Sequence, residues 1–196
     1  RADSFYIREW VRGGTKDPDL LVEPRAIAIT NQVVVVLDAG TREVHAFDLT
    51  SGAKRFVLKA TGEGPGEFRQ PIQVAATARQ VGVLDAATSR LTVYSDSGRF
   101  LWTTLVPDGP TVEALCLLPR GRIRVKYLGA TRAVALIDSS GTIVSRTSLP
   151  VATPLQKASS FANSAYIADG CAGESMAVAP FFGGSWYSIA SNGAAK

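Results

Sequence analysis

The feature of this sequence with the clearest chemistry is an alternation of cations and apolar residues in its second half. Arg122, Arg124 and Lys126 are separated by Ile123 and Val125. Because alternate residues of a strand share a face, this spacing predicts a strand with three cations on one side. A charged face breaks the apolar pattern of packed sheets, and such breaks indicate a binding site or an interface.

The charge around this strand is one-sided, since Asp138 is the only acid between residues 114 and 168. We therefore predict that the strand contacts a protein partner with an acidic surface. The candidate partner-binding residues are Arg120, Arg122, Arg124, Lys126 and Arg132. Nucleic acid is not expected, because no set of aromatic residues accompanies the cations. The alternative is a solvated face, or one paired with acids of a neighbouring repeat.

Candidate catalytic residues are few. His45 is the only histidine, and one histidine is too few for the catalytic metal site of a propeller enzyme. A Ser-His-Asp triad would also have to use His45, and the sequence contains no Gly-x-Ser-x-Gly turn to present the serine. Cys116 lies in an apolar run that would raise the pKa of its thiol and make it inert. With Cys171 it could form a disulfide, or both could be buried thiols. The sequence therefore favours a protein that is not an enzyme and has no cofactor or metal.

Two aspartates follow equivalent apolar strands. Asp38 and Asp85 each stand next to a turn, where aspartate typically accepts backbone N–H hydrogen bonds. The aligned residue of the third repeat is Leu128. We therefore expect turn capping rather than a ring of metal-binding carboxylates.

An internal repeat organises the chain. Val-Leu-Asp-Ala occurs at 36–39 and again at 83–86, a shift of 47, and a weaker third copy follows at a shift of 43. In this alignment, the first two repeats have valine at the positions that hold cations in the third repeat. These valines are Val34 and Val36 in the first repeat and Val81 and Val83 in the second. A period in the forties with turns at a fixed phase is typical of propeller blades.

Each repeat divides into four short strands. In the first repeat these are expected at 25–29, 32–37, 43–49 and 55–60, and no window has a convincing helical period. The sequence thus predicts an all-β fold, a β-propeller of four-stranded antiparallel blades, with about four blades present. One domain spans 1–196, divided into a closing strand and connector (1–24), three blades (25–70, 71–111 and 112–154) and a partial blade (155–196).

The connector Thr-Gly-Glu-Gly-Pro-Gly-Glu-Phe-Arg-Gln-Pro at 61–71 precedes a strand, and an eroded copy occupies 12–24. Together with the Val-Leu-Asp strands and Ser-Gly turns, it resembles the NHL-repeat and TolB-like six-bladed propellers. The resemblance implies a six-bladed ring of which this chain holds a part. It also implies an extracytoplasmic location, periplasmic or at the cell surface.

These observations favour a non-enzymatic interaction module, an accessory or scaffold subunit of an extracytoplasmic or membrane-associated complex. Besides the basic strand, the long segment 150–164 is expected to carry contacts. Two alternatives remain open. One is a propeller hydrolase or lyase whose catalytic residues lie in other blades. The other is a glycan or small-ligand receptor that stacks its ligand on Trp102, Trp186 and Tyr187. The longest apolar run, 33–37, is too short to cross a membrane.

Overall fold

The computed structural model describes residues 10–12, 21–59, 62, 64–127 and 134–148, together with the backbone of three short strands beyond them. Within these residues the structure contains strands, turns and two 3-10 turns, and no α-helix. No helix of the described part is long and apolar enough to span a membrane.

The strands form three four-stranded antiparallel sheets and one three-stranded sheet, each in sequence order. Sheet one contains β1 (Pro24–Ile29), β2 (Val33–Asp38), β3 (Glu43–Asp48) and β4 (Lys54–Lys59). Sheet two contains β5 (Pro71–Ala76), β6 (Gln80–Asp85), β7 (Arg90–Ser95) and β8 (Phe100–Leu105). Sheet three contains β9 (Val112–Leu117), β10 (Ile123–Tyr127), β11 (Val134–Ile137) and β12 (Ile143–Thr147). The fourth contains β13 (Ala165–Tyr166), β14 (Met176–Pro180) and β15 (Tyr187–Ile189).

The turns between the third and fourth strands explain the repeated Ser-Gly pairs. Gly52, Gly98 and Gly141 have φ angles of 66°, 83° and 87°, values that glycine adopts without the steric cost of a Cβ atom. In two of these turns the carboxylates of Asp48 and Asp138 accept backbone N–H groups. The recurring sequence pattern is therefore a turn requirement repeated in each sheet.

The three complete sheets pack face to face around a row of neighbouring first strands. β1 contacts β5, and β5 contacts β9. One apolar core, which includes Val35, Leu37 and Val83, joins sheets one and two. A second core, which includes Leu84 and Val125, joins sheets two and three. This is the arrangement of propeller blades, and burial of these apolar side chains is the main force that holds them together.

The turns and connectors of the three sheets form two opposite edges. The inner hairpin edge consists of the β1–β2, β5–β6 and β9–β10 turns, and the Asn31 N–H donates to the Ala78 carbonyl (3.0 Å) across two of them. The connector edge consists of the β2–β3 and β6–β7 turns and the residues that lead into β1, β5 and β9. Because β2, β6 and β10 run from the first edge to the second, the edges lie at opposite ends of each blade.

Candidate functional site

Two of the five expected partner-binding cations are buried in β10. Arg124 is 2% exposed and Lys126 is 0% exposed. The prediction of a single cationic contact face is therefore wrong for these two residues. A partner could not reach them without opening the blade.

The strand register explains the error. Sheets two and three can be compared through the pairing of their first two strands. Arg124 pairs with Cys116 as Gly82 pairs with Ala75, so Arg124 is the equivalent of Gly82 and Lys126 is the equivalent of Leu84. The valine positions of β6 correspond instead to Ile123 and Val125, which pack on sheet two. A slip of one residue moves a side chain to the other face of a sheet. The cations thus occupy the face of sheet three that points away from sheet two.

Lys126 forms an ion pair within its own sheet. Its Nζ donates to the Glu113 carboxylate, whose side chain is 29% exposed, and the Gln73 amide of sheet two donates to the Glu113 carbonyl (2.6 Å). Burial lowers the pKa of Lys126, and the hydrogen bond and charge of Glu113 partly oppose this. The paired acid comes from the adjacent strand β9, not from a neighbouring repeat. This cation therefore has a structural role.

Arg120 and Arg122 lie at the other end of β10, on the inner hairpin edge. Arg120 is exposed and has a φ of 63°, and Arg122 is half-buried, with its Nε donating to the Pro119 carbonyl (3.5 Å). Arg79 is exposed in the equivalent turn of sheet two. Sequence reasoning missed Arg79, because a single arginine in a turn has no periodic pattern.

Asp38 and Asp85 tie each blade to the connector before it. The Asp38 carboxylate accepts the N–H groups of Val22 (2.7 Å), Glu23 (2.8 Å) and Gly40 (3.0 Å). The bond to Gly40 confirms the expected turn cap, and the other two bonds hold a segment about fifteen residues upstream. The carboxylate is 0% exposed, so these N–H groups have replaced its water.

The same contacts set the protonation of Asp38. Burial acts to raise the pKa of its carboxyl, but the backbone N–H groups of Val22, Glu23, Gly40 and Thr41 outweigh burial and hold the pKa below its ordinary value. Hydrogen bonds donated to the ionised form favour that form. Asp38 is therefore a fixed structural anion rather than a proton donor.

Asp85 makes the corresponding contacts in sheet two. Its carboxylate accepts the Gln70 N–H (2.6 Å) and the Thr88 hydroxyl (2.7 Å). In sheet three the register places Tyr127, not Leu128, at this position. The Tyr127 hydroxyl donates to the carbonyl of Pro107 (2.8 Å), which also lies in a connector. A hydrogen bond thus links connector and blade in sheet three as well, but here the blade residue donates and the connector accepts.

His45 is packed inside sheet one. It is 5% exposed, its Nε2 lies 3.3 Å from a carboxylate oxygen of Glu43, and its ring stacks on Phe47. Glu43 also pairs with Lys59 (3.1 Å). Among the described residues, no three His, Cys, Asp or Glu side chains are grouped as metal ligands would be. The surroundings of His45 fit the structural role expected for it.

Cys116 is disulfide-bonded, which decides between the disulfide and the buried thiol that the sequence left open. Cys116 is 1% exposed on the inner strand β9. The sequence holds one other cysteine, Cys171, which lies outside the described residues.

A cleft of about 410 Å³ opens at the connector edge between sheets one and two. Its described lining consists of Arg42, Arg69, Gln70 and Ala87. Arg42 and Ala87 belong to the β2–β3 and β6–β7 turns, while Arg69 and Gln70 end the connector that enters β5. Sequence reasoning did not find this site, because its residues are far apart in the chain.

Several expectations fall outside the described residues. They concern Arg132, Leu128, Cys171, Trp186 and the segment 150–164. Of the aromatic residues considered for glycan stacking, Trp102 is half-buried and packs against the core between sheets two and three.

The family model of DUF5128, described as a 6-bladed beta-propeller, matches residues 3–124. The chain belongs to this family, and its three packed sheets are blades of that fold. No curated protein matches the chain.

Solved structures support the same fold. An exported-protein candidate from Bacteroides fragilis matches with a TM-score of 0.57 and 18% identity, over 73% of this chain and 42% of that one. Streptogramin B lyase matches with a TM-score of 0.59 and 14% identity, over 88% and 53%. BamB from Moraxella catarrhalis matches with a TM-score of 0.50 and 15% identity, over 88% and 51%. The chain therefore spans about half the length of these proteins.

Proposed function

We propose that this chain is part of a non-enzymatic propeller that binds a protein partner with an acidic surface. The observation that carries the proposal is the row of arginines on the inner hairpin edge. Arg79, Arg120 and Arg122 project from equivalent turns of neighbouring blades. The turns that carry them, 77–80 and 118–122, contain no acid. A rigid edge with one sign of charge attracts and orients an acidic partner.

The local backbone supports this assignment. Arg120 adopts a left-handed conformation (φ 63°) that residues other than glycine and asparagine rarely occupy. Residues held in such conformations recur at functional sites. Two acids lie in the neighbouring turns: Asp96, whose N–H donates to the Arg79 carbonyl (3.0 Å), and Asp138, which precedes the Ser139 that packs on Gly121. The three arginines outnumber these two acids, so the net charge of these turns is positive.

We further propose an extracytoplasmic location, as an accessory or scaffold subunit of a larger, membrane-associated complex. Disulfides persist in oxidising compartments, and Cys116 is disulfide-bonded. Cys171 is the only other cysteine of this sequence, so it is the partner we propose. The likeness to an exported-protein candidate and to BamB supports the same location, as does the proposed relation to NHL-repeat and TolB-like propellers.

The test is affinity purification of the full-length protein from its native host, with quantitative mass spectrometry of the proteins that copurify. One variant combines Arg79→Gln, Arg120→Asn and Arg122→Gln. Asparagine at position 120 removes the charge and still tolerates a positive φ. The matched control combines Arg42→Asn and Arg69→Gln at the opposite edge.

We expect the first variant to lose a defined set of proteins that the wild type and the control both retain. The wild-type contacts should also weaken with salt, since exposed charges are screened over about 8 Å at physiological ionic strength. Equal recovery from the first variant and the wild type would overturn the proposal.

A further inference from the structure

The outer strand of sheet two, β8, is an open sheet edge. Within the described part of the chain it pairs only with β7. Phe100 (39%), Thr103 and Leu105 (55%) are exposed along it. We propose that β8 binds an extended, uncharged segment of a protein partner, which pairs with it as a fifth strand of sheet two. The inference rests on the proposed function, because it names the segment by which the acidic partner is held.

The outer strands of the three complete sheets differ in charge. β4 carries three cations among its six residues, whereas the six residues of β8 include no charge. The strand registers place Lys59 of β4 at the position of Leu105, and Arg146 of β12 at the position of Thr103. Charged residues on an outer strand oppose the addition of another strand. Of these three outer strands, β8 is therefore the one suited to accept an uncharged segment.

The backbone groups of β8 that point outward follow from one hydrogen bond. The Val106 N–H donates to the Ser89 carbonyl (2.8 Å), next to the ladder between β7 and β8. Successive residues of a strand direct their N–H and C=O groups to opposite sides. The groups of Thr104 therefore face β7, whereas those of Thr103 and Leu105 point outward. Such main-chain donors and acceptors at an exposed edge are what an added peptide strand binds.

The two ends of β8 have different surroundings. At one end the Leu105 carbonyl faces Gly141 of sheet three, where a Cβ atom would come within 2.9 Å of it, so an added strand ends there. At the other end β8 follows Arg99, which is exposed. The turn that holds Arg99 is joined to the inner hairpin edge, because the Asp96 N–H donates to the Arg79 carbonyl (3.0 Å). β8 therefore begins beside the cations of that edge.

An antiparallel segment fits both ends. The strands of sheet two are antiparallel throughout, and antiparallel pairs are slightly more stable per residue than parallel ones. A segment antiparallel to β8 has its C-terminal end beside Arg99, so acids that follow it meet the cations of the inner hairpin edge. The ligand we expect is about four uncharged, β-forming residues followed by acidic residues.

The experiment is fluorescence polarisation of fluorescein-labelled peptides titrated with the full-length protein. The probe is Thr-Val-Thr-Val-Glu-Asp-Glu. One control peptide has proline in place of the second threonine, so it keeps the acids but lacks a main-chain donor. The other control peptide, Glu-Asp-Glu-Thr-Val-Thr-Val, has the acids at the opposite end. We expect the probe to bind at least about tenfold more tightly than either control peptide.

Two protein variants close the edge in different ways. Thr103→Pro removes the outward N–H, and Leu105→Lys introduces the cation that β4 has at Lys59. Because an added lysine by itself attracts the acidic probe, weaker binding of this variant reports on the edge. The matched control, Val57→Pro, makes the same change at the position of β4 equivalent to Thr103. We expect each β8 variant to weaken binding by about tenfold or more, and the control to bind the probe as the wild type does.

Hydrogen exchange of single amides gives an independent readout. When the probe binds, the outward N–H of Thr103 should exchange at least about tenfold more slowly. The N–H of Thr104 faces β7 and should change little. This alternation between neighbouring residues distinguishes an added strand from a ligand that contacts side chains alone.

Three results would overturn the inference. They are equal binding of the probe and the proline peptide or binding of neither, unchanged binding in both β8 variants, and a dimer in light scattering that Leu105→Lys separates. The last result would assign the edge to a second copy of this chain. Circular dichroism of each variant separates loss of binding from loss of fold. If the probe fails while copurification still depends on Arg79, Arg120 and Arg122, the proposed function stands and the strand addition does not.

Discussion

Replacing Asp38 with asparagine tests how the connector is held to its blade. The two side chains have the same shape, but asparagine keeps one acceptor oxygen and turns an NH₂ group toward a backbone N–H. The wild-type carboxylate accepts the N–H groups of Val22, Glu23 and Gly40 in a fully buried site. One unsatisfied buried donor costs about 1–3 kcal/mol. Loss of the charge weakens the remaining two bonds, so we expect Asp38→Asn to lower the free energy of unfolding by about 2–4 kcal/mol.

The assay is urea unfolding of the full-length protein, with Asp48→Asn as the matched control. Asp48 accepts two backbone N–H groups in the same way, but in an exposed turn, where water can replace the lost acceptor. We therefore expect a clearly smaller effect from Asp48→Asn. Equal losses in the two variants would refute the reasoning, because burial would then contribute nothing.

The pH dependence of this difference has a definite sign. The pKa of Asp38 is lower in the folded protein than its ordinary value of 3.8, so the unfolded chain binds the proton more readily. The stabilisation that the ionised Asp38 contributes is fully present above about pH 3.8 and is lost as the pH falls through the pKa of Asp38 in the folded protein. The gap in unfolding free energy between wild type and Asp38→Asn should therefore narrow in acid, and a gap that widens would contradict the assignment.

Three further predictions concern sheet three. Glu113→Gln leaves the Lys126 ammonium buried without its carboxylate, which lowers the pKa of Lys126 further and should reduce the free energy of unfolding by about 3 kcal/mol. The unfolded lysine keeps its proton to a higher pH than the folded one. Urea unfolding should therefore show the loss of stability shrinking as the pH rises toward 10.5. Tyr127→Phe removes the hydroxyl that donates to Pro107 and should cost about 1 kcal/mol by the same assay. Cys116→Ser should lower the thermal midpoint of oxidised protein but not of reduced protein, and equal midpoints for oxidised wild type and variant would argue against the disulfide.

The strands of sheet one could be predicted closely from sequence. The expected third strand at 43–49 is observed as Glu43–Asp48, and the fourth, at 55–60, as Lys54–Lys59. Turns at a fixed phase and β-branched or aromatic runs between them determine such short strands. The repeat spacing predicts propeller blades, and the resemblance of the connector to NHL-repeat and TolB-like proteins implies six of them; the family match agrees with six blades.

The face of β10 could not be predicted, because a gapless alignment cannot represent a change in register. Between sheets two and three, the shift of 43 residues used in the sequence alignment is correct at the β11–β12 turn. In β10, however, the strand register gives a shift of 42, so that Arg124 corresponds to Gly82. One residue reverses the face of every side chain in the strand. The basic strand is thus an interior feature, and the cations open to a partner lie in turns.

The cleft depends on contacts that no local pattern reveals. Arg42 and Arg69 are 27 residues apart in the sequence, and they meet only because sheets one and two pack together. Neither residue belongs to a periodic stretch, and each alone is an ordinary surface arginine. Sites assembled between blades require the blade packing itself before they can be recognised.

Site-specific photo-crosslinking from the inner hairpin edge tests the central claim most directly. A photoreactive phenylalanine analogue would replace Arg120 in the full-length protein in its native host. In a second strain it would replace Val22, which is exposed among the residues that lead into β1, at the connector edge. We expect position 120 to trap a defined protein with acidic residues at the crosslinked surface, and position 22 not to trap it. Trapping of the same species from both positions, or of none from position 120, would contradict an interaction surface at the inner hairpin edge.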